Sequence, residues 1–142
     1  MMPRRIIPFA YPSQKVSAGG VQCRLVVQVG RDRELLRLRA NVICSAGYTV
    51  HSMFPDEATA EVQKGRGGRV WVFCHTLQVY ELALLAVAIR NSCPSDKLLR
   101  LSGLNDVEQP LKLFDELLDP AQGVDELLQG IGRLARQSAP SL

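Results

Sequence analysis

The sequence predicts an α/β domain built on a doubly wound, five-stranded parallel sheet of order 2-1-3-4-5. Three observations lead there. Short runs rich in valine and leucine recur along the chain, each bounded by a turn residue. Longer segments with helical spacing separate them, giving β-α-β-α-β-α-β-(α)-β-α, and such alternation places helices on both faces of a parallel sheet. Five strands within about 100 residues suit the order 2-1-3-4-5.

The elements follow in order. "CRLVVQV", 23–29, is a buried strand closed by Gly30. "RDRELLRLRANVICSAG" is a helix, with Asp32 as N-cap and Gly47 at its end. Leu35, Leu38, Val42 and Ala46 fall at helical spacing, with Leu36 and Ile43 beside them. "YTVHSMF", 48–54, alternates as a strand with one exposed face does, and His51 should face solvent. Pro55 to Lys64 opens with Asp56 and Glu57 and reads as a short helix. "RVWVFC", 69–74, is the most strand-like run, with Trp71 and Phe73 on one face and Val70 and Val72 on the other.

"LQVYELALLAVAIRNSC", 77–93, is a long apolar helix. "DKLLRLSG" is a fourth strand that ends at Ser102. "LNDVEQPLKL" is ambiguous, and Pro110 cuts short any helix there. "FDELLD" is a poor fifth strand. In "GVDELLQGIGRLARQ", Val124, Leu127, Leu128, Ile131 and Leu134 line one face of a closing helix.

Composition narrows the function classes. With 142 residues and 46% hydrophobic side chains, the chain can bury one real core. No apolar run reaches the roughly 18–20 residues of a membrane span. Residues 1–20 carry Arg4, Arg5 and Lys15, no acid and three prolines, and read as a flexible basic leader. The domain is expected over 21–138, with a tail at 139–142. Beyond the leader the chain holds fourteen basic and fourteen acidic residues. That balance lacks the basic face of a nucleic-acid binder. Cys23, Cys44, Cys74 and Cys93 form no C-x-x-C pair, so buried free thiols in a reducing cytoplasm are expected.

In a doubly wound sheet the working site lies at the carboxyl ends of the central strands. Here those ends are Gly30–Arg31, Cys74, Ser102 and Asp119. Cys74 reads as a structural cysteine, half-buried. His75 is adjacent in a strand and should point away from it. A metal site of Cys74, His75 and His51 has no ligand spacing to support it.

From the helix and strand "RELLRLRANVICSAGYTV", the strand "LLRLSG" and the closing "LLDPAQGVDELLQGIGRL", the chain resembles the receiver domain of two-component response regulators over about residues 22–137. The resemblance implies a flavodoxin-like three-layer α/β/α fold. Ser102 to Asp119 leaves little room for a helix and a strand, so the fourth helix should be shortened. An active receiver places an acidic pair after its first strand, a phospho-acceptor aspartate after its third, a hydroxyl after its fourth and a lysine after its fifth. Carried across by position, the acidic pair falls on Gly30 and Arg31, the acceptor on Cys74, the hydroxyl on Ser102 and the lysine on Asp119. The switch aromatic falls on Glu116.

Only Ser102 matches. Mg²⁺ prefers oxygen ligands, and a cation at Arg31 repels it. The resemblance thus implies a degenerate receiver: no enzyme, no cofactor, no metal and a vacated phosphorylation site. It is expected to act through a protein partner, as a monomer or weak homodimer, without nucleic acid or membrane. The chain closes soon after the last helix with "QSAPSL", so output is expected through binding alone. Two alternatives stay open: a receiver that still joins a phosphorelay by altered chemistry, and a thiol-based redox sensor using Cys74. Arg31 and Asp119 reverse the polarity of the family's acid and lysine, which suggests an ion pair between them.

Overall fold

The computed structural model describes residues 25–65, 67–102 and 113–137. The strands are β1 (Leu25–Val29), β2 (Thr49–Met53), β3 (Val70–Phe73), β4 (Lys97–Leu101) and β5 (Glu116–Leu118). Between and after them lie α1 (Arg33–Ser45), α2 (Pro55–Gln63), α3 (Val79–Ser92), a 3₁₀ turn (Pro120–Gln122) and α4 (Val124–Gln137). The sheet order is β2-β1-β3-β4-β5, and each neighbouring pair is parallel. This is the 2-1-3-4-5 order expected from the alternation. The segment in which a shortened helix was expected, 103–112, lies outside the described residues, as do Cys23 and the basic leader.

Two cores flank the sheet because β1, β3 and β4 are buried on both faces. On one face Val27, Val29, Trp71, Phe73 and Leu98 meet Ala58 and Val62 of α2 and Leu82, Leu85 and Ile89 of α3. On the other, Val26, Val70, Val72, Leu99 and Leu101 meet Ile43 of α1 and Leu127, Ile131 and Leu134 of α4. The division of Trp71 and Phe73 from Val70 and Val72 follows the strand period of two. β2 is an edge strand, and His51 on it is exposed as expected.

Local chemistry sets the ends of α1. The Asp32 carboxylate accepts from the backbone N–H groups of Glu34 and Leu35, at 3.1 and 3.2 Å, and so caps the helix. Gly47, at φ 101°, takes the left-handed conformation that ends it. The buried side of α1 differs from the expected line. Leu36 and Ile43 are buried, while Leu38 is half exposed and Ala46 exposed. Gln28, buried on β1, donates from Nε2 to the Leu36 carbonyl at 2.5 Å, so the Leu36 side of the helix faces the sheet. In α4 the expected face holds at Leu127, Ile131 and Leu134, but Val124 in the first turn is exposed. Cys44, expected to be buried, is exposed on α1 near its C-terminus; Cys74 and Cys93 are buried free thiols.

At the amino end of the sheet lies a buried polar cluster that the pattern of apolar residues did not announce. Asp96, fully buried, accepts from the Arg69 backbone N–H and Nε, both at 3.0 Å, and from the Trp71 indole N–H at 2.8 Å. Arg69, 1% exposed, also donates to Glu61 at 3.1 Å and to Cys93 Sγ at 3.1 Å. A buried guanidinium is tolerated only when its charge and donors are satisfied, and here two carboxylates meet it.

Candidate functional site

Gly30, Arg31 and Cys74 converge at the carboxyl ends of β1 and β3. The Cys74 N–H donates to the Val29 carbonyl at 2.8 Å, which extends the pairing of the two strands by one residue. The fit is close: a Cβ on Gly30 would stand 2.8 Å from Cys74 Cβ and 3.2 Å from Leu36 Cδ2. Glycine is therefore required there by space. Cys74 is 1% exposed, more deeply buried than expected.

The surroundings of Cys74 correct a second expectation. Its sulfur lies 3.8 Å from His75 Nδ1. Strand alternation does not separate them, because β3 ends at Phe73 and His75 already lies in the turn that follows. Arg39, from α1, donates from Nη1 to Cys74 Sγ at 3.5 Å. Arg39 thus sets a positive charge beside the thiol.

Arg31 has a different partner from the one the sequence suggested. Its guanidinium meets the Glu81 carboxylate through two contacts, Nε to Oε1 at 3.2 Å and Nη2 to Oε2. Its backbone N–H donates to Thr76 Oγ1 at 2.9 Å. Glu81, in the first turn of α3, also accepts from the Gln78 N–H at 3.0 Å. The two-point contact suits a planar guanidinium. The Arg31 hydrogen bond holds the Glu81 carboxyl below the usual carboxylate range, against an opposing effect of burial. The same bond raises the Arg31 pKa. Together these contacts tie the β1–α1 turn to the start of α3 beside the buried thiol.

Asp119 does not join them. Its Oδ1 accepts from the Ala121 N–H at 2.9 Å and caps the Pro120–Gln122 turn. A carboxylate one residue before a turn-initiating proline satisfies a free backbone donor locally, so no long-range cation is needed. Ser102 is nearby through the backbone, since its N–H donates to the Leu118 carbonyl at 2.9 Å. Gly30 and Cys74 thus touch at the ends of β1 and β3 with Arg31 beside them, while Ser102 and Asp119 follow β4 and β5, and Asp119 is bonded within its own turn. Glu116, on β5, pairs with Arg133 of α4 at 2.8 Å.

The residues present do not fit a Mg²⁺ ion. Gly30 offers no ligand, Arg31 is a cation, and Cys74 is a buried soft thiol, whereas Mg²⁺ requires oxygen. Of the nearby acids, Asp32 caps α1 and Glu81 is paired with Arg31. Among the described residues no three His, Cys, Asp or Glu side chains group as a metal site would need. Glu81, Thr76 and Arg39 were missed in the sequence. Only Glu81 had a local cue, as an acid three residues after Gln78 at the head of an apolar helix.

Comparison with solved structures identifies the class of fold. A response regulator receiver protein from Sinorhizobium medicae superposes with a TM-score of 0.70 at 15% identity, covering 83% of this chain and 98% of that one. The signal receiver domain of an HD domain-containing protein from Pseudomonas fluorescens gives 0.68 at 17%, covering 82% and 98%. A CheY-like receiver domain protein from Methanospirillum hungatei gives 0.65 at 17%, covering 82% and 97%. No family model and no curated protein matches the chain. The chain has the fold of a response-regulator receiver domain.

Proposed function

We propose that this chain is a receiver-like signalling protein of the two-component type that has lost its phospho-acceptor and Mg²⁺ site and acts by phosphorylation-independent protein–protein interaction. One observation carries the reading. At the ends of β1 and β3, where a receiver of this fold places its metal-binding acids and acceptor, the chain presents Gly30, Arg31 and a Cys74 that is 1% exposed. Phosphoryl transfer depends on a metal and cations that neutralise the moving charge. Here the cation nearest the turn is already paired with Glu81, and Asp119 stands in place of the lysine. The reading includes no enzymatic step and no cofactor. It treats Ser102 as an ordinary turn residue.

The Arg31–Glu81 contact gives the reading a physical consequence. In a working receiver, charge arriving at the site rearranges the loops. Here a pair within the chain, Arg31 with Glu81, links two of those loops without metal or phosphate.

The test is labelling with acetyl phosphate and Mg²⁺, read by intact mass. The expected result is no added phosphate. A stoichiometric phosphoryl adduct that needs Mg²⁺ would overturn the reading.

A further inference from the structure

The Cys74 thiol lies at the carboxyl ends of the central strands, where a doubly wound sheet places its chemistry. Two side chains stand against its sulfur, Arg39 Nη1 at 3.5 Å and His75 Nδ1 at 3.8 Å. Among the described residues no carboxylate neutralises Arg39. Positive charge beside the sulfur is the common mark of reactive thiols. The other described cysteines lack this arrangement. Cys93 also meets a guanidinium, at 3.1 Å, but Glu61 and Asp96 neutralise that Arg69. Cys44 has its pKa pushed up by burial around the sulfur.

We propose that Cys74 is a peroxide-sensitive thiol, oxidised to a sulfenic acid by a small hydroperoxide with Arg39 and His75 as its supporting groups. The thiol proton passes to His75 Nδ1, and the sulfur attacks one oxygen of the peroxide. The S–O bond forms as the O–O bond breaks, and the leaving oxygen takes the proton back from His75. With hydrogen peroxide the products are the Cys74 sulfenic acid and water, sulfur having lost two electrons and the peroxide having gained them. Arg39, already on the sulfur, is placed to bond the new oxygen, a stronger acceptor than sulfur.

Access and polarity both allow the step. Cys74 is 1% exposed, yet its sulfur lies against the side chain of His75, an exposed residue. The sulfur is therefore one surface side chain from solvent, and exposed side chains change rotamer within picoseconds to nanoseconds. An observation outside the cluster points the same way. Gln28, like Cys74, faces α1 and lies two residues before the Gly30 that touches Cys74. Its Nε2 donates to the Leu36 carbonyl and the Ser52 hydroxyl, but its fully buried Oε1 has no protein partner. A buried acceptor of this kind is ordinarily met by a small polar molecule such as water. The sheet face under α1 thus admits molecules of that size near the thiol. The step needs neither Mg²⁺ nor a phosphoryl donor, so it stands or falls apart from the loss of phosphotransfer.

The test exposes the full chain to hydrogen peroxide at pH 7, traps sulfenic acid with dimedone and maps the adduct by peptide mass. Cys74 is expected to be trapped about tenfold faster than Cys44 or Cys93. Arg39→Gln is expected to slow trapping at Cys74 about tenfold and Arg39→Lys to restore part of the rate, with circular dichroism unchanged in both. Absence of a Cys74 adduct overturns the proposal. So does an adduct that forms no faster there than at Cys44, or one that Arg39→Gln leaves as fast as before.

Discussion

Replacing Asp96 with alanine tests the buried cluster at the amino end of the sheet. The Asp96 carboxylate is fully buried and accepts three hydrogen bonds, two from Arg69 and one from Trp71. Removing one member of a buried ion pair costs about 3–5 kcal/mol, because the partner's charge is left behind. Two neutral donors, the Arg69 N–H and the Trp71 indole N–H, lose their acceptor as well, at about 1–3 kcal/mol each. The parts do not add in full. Glu61 still lies 3.1 Å from the Arg69 guanidinium, and water can enter the vacated space. The expected loss is about 4–6 kcal/mol, a large share of the roughly 5–15 kcal/mol that holds a domain together. Urea denaturation followed by circular dichroism measures it. Asp96→Asn keeps the shape and one acceptor oxygen and should cost less than alanine, which provides a folded variant if Asp96→Ala does not fold. An Asp96→Ala loss below about 1.5 kcal/mol would refute the account of the cluster as a fully satisfied buried network.

Four further outcomes are expected. Trp71→Ala should cost about 3–5 kcal/mol, since the ring is fully buried, stacks on Phe73 at 6.1 Å and lies 4.9 Å from the Arg69 guanidinium; a loss below about 1 kcal/mol in urea would contradict its place in the core. Double-mutant cycles should show coupling between Arg31 and Glu81 and none between Arg31 and Asp119. Because the folded Glu81 pKa is depressed, its contribution to stability is present above the unfolded value of about 4.3 and is lost as pH falls through the lower folded value, so Glu81→Gln should flatten the acid limb of the stability profile. Gly30→Ala should destabilise by about 1–3 kcal/mol through overpacking against Cys74. Cys74→Gly should relieve part of that cost, and an unchanged Gly30→Ala stability would show that the two strand ends stand farther apart.

Much of the fold was legible in the sequence because its signals are local. Strand period, helix period, the Asp32 cap and the Gly47 stop each act within a few residues, and the order of elements then restricts the topology to a parallel sheet. The phase of α1 was not legible. Leu35 and Leu36 both fit an apolar line, and only the packing of the helix on the sheet shows that Leu36 and Ile43 are the buried ones. The separation of Cys74 from His75 was misjudged for a similar reason: the strand ended one residue sooner than the apolar run.

The ends of the central strands could be named from sequence, and with them Gly30, Arg31, Cys74, Ser102 and Asp119. The pairing of their charges could not. Opposite charges at converging positions suggested Arg31 with Asp119, but Asp119 found a backbone donor two residues away, which needs no long-range closure. Arg31 found Glu81, fifty residues on. Asp96 and Arg69, twenty-seven residues apart, met because β3 and β4 run side by side. Sequence by itself determined the elements, their order and the residue types at the strand ends, since those rest on local conformational preference and burial. The partners of the charged side chains were decided only by the tertiary structure. An ionic contact has no sequence period, and its choice among acids depends on which backbones the packed sheet brings within a few ångströms.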